Sequence, residues 1–241
     1  MAVSLDECDA MMSACKKSNS ILAINHQMRF MEQYTAVKAM CESEEFGGLQ
    51  SVTVAASNFG LAMNGCHYFE MFRYIMDEEI SEVQFWADKE KVPNPRGEQF
   101  EDHSGQLRAV TKSGKRLYME LGGDQGHGIF VTYGCRFGQI VVDELAGDLR
   151  AVVRNEEFRS MPTTRYGMPA REILQKIAPA DVIGPTQSIW KAMLDGKNYP
   201  DGRCGRHALA VLVSANISAE NDGSLVKISE NLDRSRKFPW A

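Results

Sequence analysis

"QLRAVTKSGKRLYMEL", residues 106–121, carries two runs of alternating apolar and polar side chains on either side of Ser113-Gly114. Period-two alternation marks a half-buried strand, and a Ser-Gly pair between two such runs marks a tight hairpin turn. The same signature recurs downstream. "GIFVTYGCRFGQIVVDEL" (128–145) turns near Gly134 to Gly138, and "DELAGDLRAVVRN" (143–155) turns at Ala146-Gly147. Upstream, "LQSVTVAASNF" (49–59) sets Val52, Val54 and Ala56 against Ser51, Thr53 and Ala55, and "SEVQFWADK" (81–89) reads as one more strand. Tight turns join neighbouring antiparallel strands, so the expectation is an open, mostly antiparallel sheet of about five or six strands.

Helical patterns lie outside this block. Ser4 followed by Glu7 forms a capping box ahead of Leu5, Cys8, Met11, Met12 and Cys15, which predicts a helix from about Leu5 to Lys17. "ILAIN" (21–25) reads as a short buried strand. "EQYTAVKAMCES" (32–43) is amphipathic, with Tyr34, Val37, Met40 and Cys41 on one face and "FGG" as its stop. Residues 155–184, with prolines at 162, 169 and 179, read as irregular. Two helices follow, over "PTQSIWKAML" (185–194) and "RHALAVLVSANISAE" (206–220), and "SLVKIS" (224–229) reads as a last edge strand. Helices segregated from a long antiparallel run make an α+β layer, with helices covering one sheet face. On the other face, Arg116, Tyr118 and Glu120 alternate with Leu117, Met119 and Leu121. A half-apolar second face of this kind suits either a second subunit or solvent.

Charge and composition exclude several classes. The 27 basic and 32 acidic residues, net -5, are spread without blocks and leave no basic stripe for a phosphate backbone. No window approaches the roughly 18 apolar residues of a membrane span, and the N-terminus lacks an export signal. Six scattered cysteines without C-x-x-C or C/H spacing support neither a metal site nor a disulfide framework, and a reducing cytoplasm fits best. "GGDQGHG" (122–128) matches no phosphate-loop pattern and joins two strands with no helix behind it.

Chemistry is expected at two places. In "NGCHYFEMFRYI" (64–75), Tyr68, Met71, Phe72 and Ile75 recur at helical spacing. His67 then falls in the first turn, where the positive helix end disfavours imidazolium, with Glu70 three residues on to orient the ring. On spacing alone, a structural histidine bonded to the adjacent loop is the simpler account. Arg29, in "NHQMRF" at the end of the short strand, stands where ligands collect in α/β units and could hold a phosphate or carboxylate, or else pair with Glu32. His26 and His103 show no convergent partners in the sequence.

Three segments together resemble the Gfo/Idh/MocA oxidoreductases: residues 1–30, then "NGCHYFEMFRYI", then "RHALAVLVSANISAENDGSLVKIS" (206–229). In that family an E-K-P tripeptide leads into the first helix, an N/H-x-x-R-F-like turn ends the next strand, and a D-x-G-x-H motif opens a helix on the substrate side. The resemblance implies that residues 1–27 are the last α/β unit of a dinucleotide-binding domain whose glycine-rich loop is absent from this chain. Residues 28–241 are then a complete substrate-binding and oligomerisation domain.

Carried over by position, His67 is the motif histidine and catalytic acid/base and Gly65 is its glycine, while the motif aspartate falls at Met63 with Asn64 adjacent but out of register; Asn64 and Arg29 are the substrate-side candidates. The implied cofactor is NAD or NADP, and the implied partners are a sugar-like or polyol CH–OH substrate and further copies of the chain through the open sheet face. The resemblance also implies an isolated chain that does not turn over. A non-catalytic binding or assembly protein derived from the same domain is the alternative, motivated by Met63.

Overall fold

Gly114 adopts a left-handed φ of 88°, and its N–H donates to the Thr111 carbonyl, closing the hairpin between strands β3 (His103–Thr111) and β4 (Arg116–Gly122) at the expected place. The computed structural model describes residues 2–57, 59–94, 96–163, 167–229 and 232–240. Within them the helices are α1 (Leu5–Lys17), α2 (Glu32–Glu42), α3 (Cys66–Met76), α4 (Ile183–Leu194) and α5 (Gly202–Glu220). The remaining strands are β1 (Leu49–Ser57), β2 (Ile80–Lys91), β5 (Ile129–Cys135), β6 (Gly138–Asp143), β7 (Asp148–Arg154), β8 (Ala170–Lys176) and β9 (Val226–Lys227).

The strands form one open sheet in the order β8-β7-β6-β5-β1-β4-β3-β2-β9. Every pairing is antiparallel except β1 with β4, which run parallel because α3, β2 and β3 intervene in the chain before β4 takes its place beside β1. The fold is therefore α+β with a mostly antiparallel sheet, as expected, but wider: nine strands among the described residues. The one that no sequence run marked lies at an edge. β8 falls in the stretch read as irregular, and its side chains are almost all exposed, so no apolar alternation marks it; it pairs with β7 through its backbone.

One sheet face is the core. Val52, Val54 and Ala56 of β1 align with Leu117, Met119 and Leu121 of β4, with Val131 and Tyr133 of β5 on the other side, all buried. Tyr68, Phe69, Met71, Phe72 and Ile75 of α3 close over them, and α5 packs between α3 and β2, with Leu209 to Val213 fully buried. Each of these large apolar side chains contributes roughly 1.5–3 kcal/mol by leaving water.

The opposite face stays uncovered. Trp86 (45% exposed), Tyr118 (37%), Phe130 (40%) and Leu174 (71%) stand out on it. A groove of about 450 Å³, between Phe130, Val141 and Leu174, is ringed by Asp143, Asp148, Arg150 and Lys176.

The N-terminal segment departs from expectation at one point. α1 forms with Ser4 as its cap, the Ser4 hydroxyl accepting from the Glu7 N–H at 3.2 Å, while the Glu7 carboxylate accepts from Val3. Residues 21–25, however, make only a single bridge, Ala23 with Asp201, and are not a buried strand; Ile21 is half exposed. A ladder needs a neighbouring strand, and among the described residues none lies beside this segment.

Candidate functional site

The helix that carries His67 begins earlier than its apolar spacing indicates. A π-helical turn over Leu61–Gly65 runs straight into α3, so His67 sits beyond the first turn rather than within it. Asp102 closes the open end: its buried carboxylate accepts from the N–H groups of Ala62 (2.8 Å), Met63 (2.8 Å) and His103 (2.9 Å). Burial nevertheless raises the Asp102 pKa above the usual aspartate value, outweighing those three donors. Gly60 lies so near this carboxylate that a Cβ there would overlap it, which explains a glycine at that position.

His67 lines a cavity of about 370 Å³ between α1, residues 22–26, the π-turn and the start of α5. Its walls are mostly apolar, with Leu22, Ile24, Met63 and Leu209 among them, and Arg96 is a cationic side chain at the rim. His26 lines the same cavity, its ring edge-on to that of His67 with centroids 5.4 Å apart. Both Nδ1 atoms are buried without a hydrogen-bond partner. Burial holds the His67 pKa below its ordinary value; burial, aided by the neighbouring His67, pushes that of His26 down to about 3. Both rings are therefore neutral near pH 7, for a reason other than the helix dipole. His26 had no visible partner in the sequence because the ring it meets is 41 residues away.

The other candidates lie elsewhere. Arg29 is tied into an ion pair with Glu70, which also receives Arg73 at 2.7 Å and 2.9 Å. Burial by itself would raise the Glu70 pKa, but the Arg73 hydrogen bond and the charges of both arginines hold it below the usual carboxylate value. Glu70 thus serves the two guanidinium groups, which also reach Cys204 Sγ at 3.6 Å and 3.2 Å, and does not orient His67. Arg29 further stacks 5.2 Å from the Tyr74 ring, and Glu32 bonds the Ala178 N–H instead of Arg29. Asn64 is exposed on the π-turn, and neither it nor Arg29 lines the His67 cavity.

Gly122 to Gly128 join β4 to β5 with no helix behind them, so no backbone cradle for a pyrophosphate forms there, and the His67 cavity is walled mainly by carbon. Among the described residues no three His, Cys, Asp or Glu side chains gather as metal ligands, and no helix is long and apolar enough to cross a membrane.

No family profile and no curated protein sequence matches the chain. Solved structures do. An oxidoreductase from Agrobacterium radiobacter in complex with NAD+, L-tartaric acid and magnesium superposes with a TM-score of 0.72 at 15% identity, covering 93% of this chain and 70% of that one. The chain has the fold of the Gfo/Idh/MocA proteins' C-terminal domain. Aldose-aldose oxidoreductase from Caulobacter crescentus, complexed with glycerol, gives 0.69 at 19% identity over 94% of this chain and 70% of that one. A super-repressor mutant of Gal80p from Saccharomyces cerevisiae gives 0.71 at 10% identity over 95% and 70%. At these identities the likeness is one of fold, and it spans oxidoreductases and a repressor alike.

Proposed function

We propose that the chain is the substrate-binding and oligomerisation portion of an NAD(P)-dependent oxidoreductase acting on a CH–OH group of a sugar or polyol. Residues 1–27 would belong to the dinucleotide-binding part and residues 28–241 to the substrate-side domain. The observation that carries the reading is the neutral, unpartnered imidazole of His67 at the wall of a cavity, in a fold shared with oxidoreductases solved with NAD+, tartaric acid or glycerol.

In this reading His67 accepts the hydroxyl proton as the substrate is oxidised and returns it in the reverse direction, burial keeping the ring unprotonated beforehand. His26 keeps the neighbourhood uncharged. The nicotinamide, which supplies the hydride chemistry, is held by polypeptide other than the residues described. The chain alone therefore does not turn over. The apolar residues on the open sheet face mark the surface for a second copy. A reducing cytoplasm fits six cysteines that are all free.

NADH and NADPH fluorescence titrations against this chain, and against a form extended by a dinucleotide-binding domain, test the reading. The extended form is expected to bind nucleotide and oxidise a polyol, with His67→Ala lowering turnover by about 10²–10⁴-fold. Undiminished turnover in His67→Ala would remove His67 as the acid/base.

A second reading has its own support. Met63 stands at the position of the family's aspartate, and a Gal80p super-repressor shares the fold, so a binding or assembly protein with a relic pocket is the alternative. Nucleotide binding without turnover in the extended form would favour it.

A further inference from the structure

Cys41 and Cys135 come from distant parts of the chain, yet their sulfurs lie 3.5 Å apart, in hydrogen-bond contact. Cys41 is the penultimate residue of α2 and is buried, whereas Cys135 ends β5 and is partly exposed. Cys135 is among the residues lining an open groove of about 420 Å³, alongside Arg136 and Arg154. The two thiols thus differ in access as an attacking and a resolving cysteine do.

We infer that Cys41 and Cys135 are a peroxide-responsive dithiol pair, in which Cys135 is oxidised first and Cys41 then closes a disulfide. The Cys135 sulfur attacks one oxygen of a hydroperoxide, the O–O bond breaks, an S–O bond forms, and water leaves when the oxidant is hydrogen peroxide. The Cys41 sulfur attacks the resulting sulfenic sulfur, its own proton leaves with the displaced hydroxyl as a second water, and the S–S bond forms. Two thiols are oxidised by two electrons in all, and one peroxide is reduced.

The surroundings favour this order. The hydrogen bond between the pair holds the Cys135 thiol below its ordinary pKa and the Cys41 thiol above it, so the less buried cysteine is the one that ionises more readily. Lys38 and Glu42 are the charged groups acting on Cys41, and they oppose one another. Bonding needs the sulfurs to approach from 3.5 Å to about 2.05 Å. The backbone beside the pair is irregular: Cys135 faces Leu49 where the β1–β5 register shifts, and Gly47 and Gly48, with left-handed φ of 71° and 90°, join α2 to β1. The bond would tie α2 to β5, and α2 carries Tyr34, whose hydroxyl bonds Glu144 together with that of Tyr68, the neighbour of His67.

Hydrogen peroxide applied to the reduced chain, followed by thiol titration and non-reducing peptide mapping, tests the pair. Of the six thiols, two are expected to disappear, leaving four, with peptides containing Cys41 and Cys135 joined. Closing this loop is expected to raise the unfolding midpoint by on the order of 10 °C, reversed by a thiol reductant. Cys41→Ser should stop at a Cys135 sulfenic acid, trapped by a 1,3-diketone probe, and Cys135→Ser should form neither product. Six surviving thiols in the wild-type chain, or a bond joining any other pair, would overturn the inference without recourse to a variant.

Discussion

Glu144 is 3% exposed and accepts from the Tyr34 and Tyr68 hydroxyls, each at 2.6 Å; burial outweighs both hydrogen bonds and raises its pKa from 4.5 to about 7. A carboxyl whose folded pKa lies above its unfolded value stabilises the fold fully below the unfolded pKa, and that stabilisation is lost as pH rises through the folded one. The window here runs from about 4.5 to 7. A tenfold change in proton affinity is worth about 1.4 kcal/mol, so the whole displacement is worth roughly 3 kcal/mol. Glu144→Gln holds the group neutral at every pH, and its amide oxygen and NH₂ can still meet one tyrosine each.

The stability of Glu144→Gln relative to wild type should therefore rise by about 3 kcal/mol between pH 4.5 and pH 8, whatever the fixed cost of the substitution. Urea unfolding of both proteins, followed by circular dichroism across that range, measures it, and groups that titrate alike in the two proteins cancel in the difference. Wild type by itself would hide the effect. His26, depressed from 6.5 to about 3, lowers stability as pH falls below 6.5 and so opposes Glu144 between pH 4.5 and 6.5. Parallel wild-type and Glu144→Gln curves would refute the account of a carboxyl kept neutral by burial.

His26→Leu should show the reverse slope, gaining roughly 2 kcal/mol on wild type as pH falls from 7.5 to 5, because the unfolded wild-type histidine takes up a proton that the buried one refuses; the same urea series reads it. Asp102→Ala strips the acceptor from three N–H groups and should cost about 2–4 kcal/mol in denaturant unfolding, with Asp102→Asn costing less. Gly105→Ala, at φ 137° and with its Cβ driven into the Trp86 carbonyl oxygen, should cost about 3 kcal/mol or more by the same measurement. Leu174→Lys, on a side chain 71% exposed, should leave monomer unfolding within about 0.5 kcal/mol while abolishing any dimer seen by size-exclusion with light scattering. A wild-type chain that is monomeric at high concentration would reject the open face as an interface.

The hairpins were legible because each strand has one buried face: Leu117, Met119 and Leu121 alternate with polar neighbours, and Gly114 and Gly147 mark turns that need a left-handed φ. β8 was not, because its side chains are mostly solvated and it is placed by pairing with β7 and by exposed ion pairs such as Arg150–Glu172, none of which leaves an apolar pattern. For residues 21–25 the apolar run was visible but its neighbour was not, and a strand is a property of a pair. At the candidate site, the helix that carries His67 was legible from its apolar spacing. His26, Asp102, Glu144 and the Arg29–Glu70–Arg73 cluster were not, since each depends on contacts more than thirty residues apart, which no local periodicity encodes. Arg29 resisted for a further reason: an arginine at a strand end looks the same in sequence whether it awaits an anion or already holds Glu70.

Met63 concentrates the question of what His67 does. The acid that the resemblance places four residues before the histidine is a methionine, yet a carboxylate does lie close by, because Asp102 accepts from Met63's own backbone N–H at 2.8 Å. That carboxylate is not a spare partner for an imidazole. Three N–H groups already occupy its oxygens, and it serves the end of the π-turn. His67 Nδ1 is correspondingly left without a partner. A catalytic His67 must then act without an orienting acid from the described residues, or receive one from elsewhere; a binding pocket needs neither. The two readings thus part on proton transfer, and nucleotide affinity alone cannot separate them. Turnover by the extended form, its pH profile, and the loss of both in His67→Ala are the measurements on which they disagree.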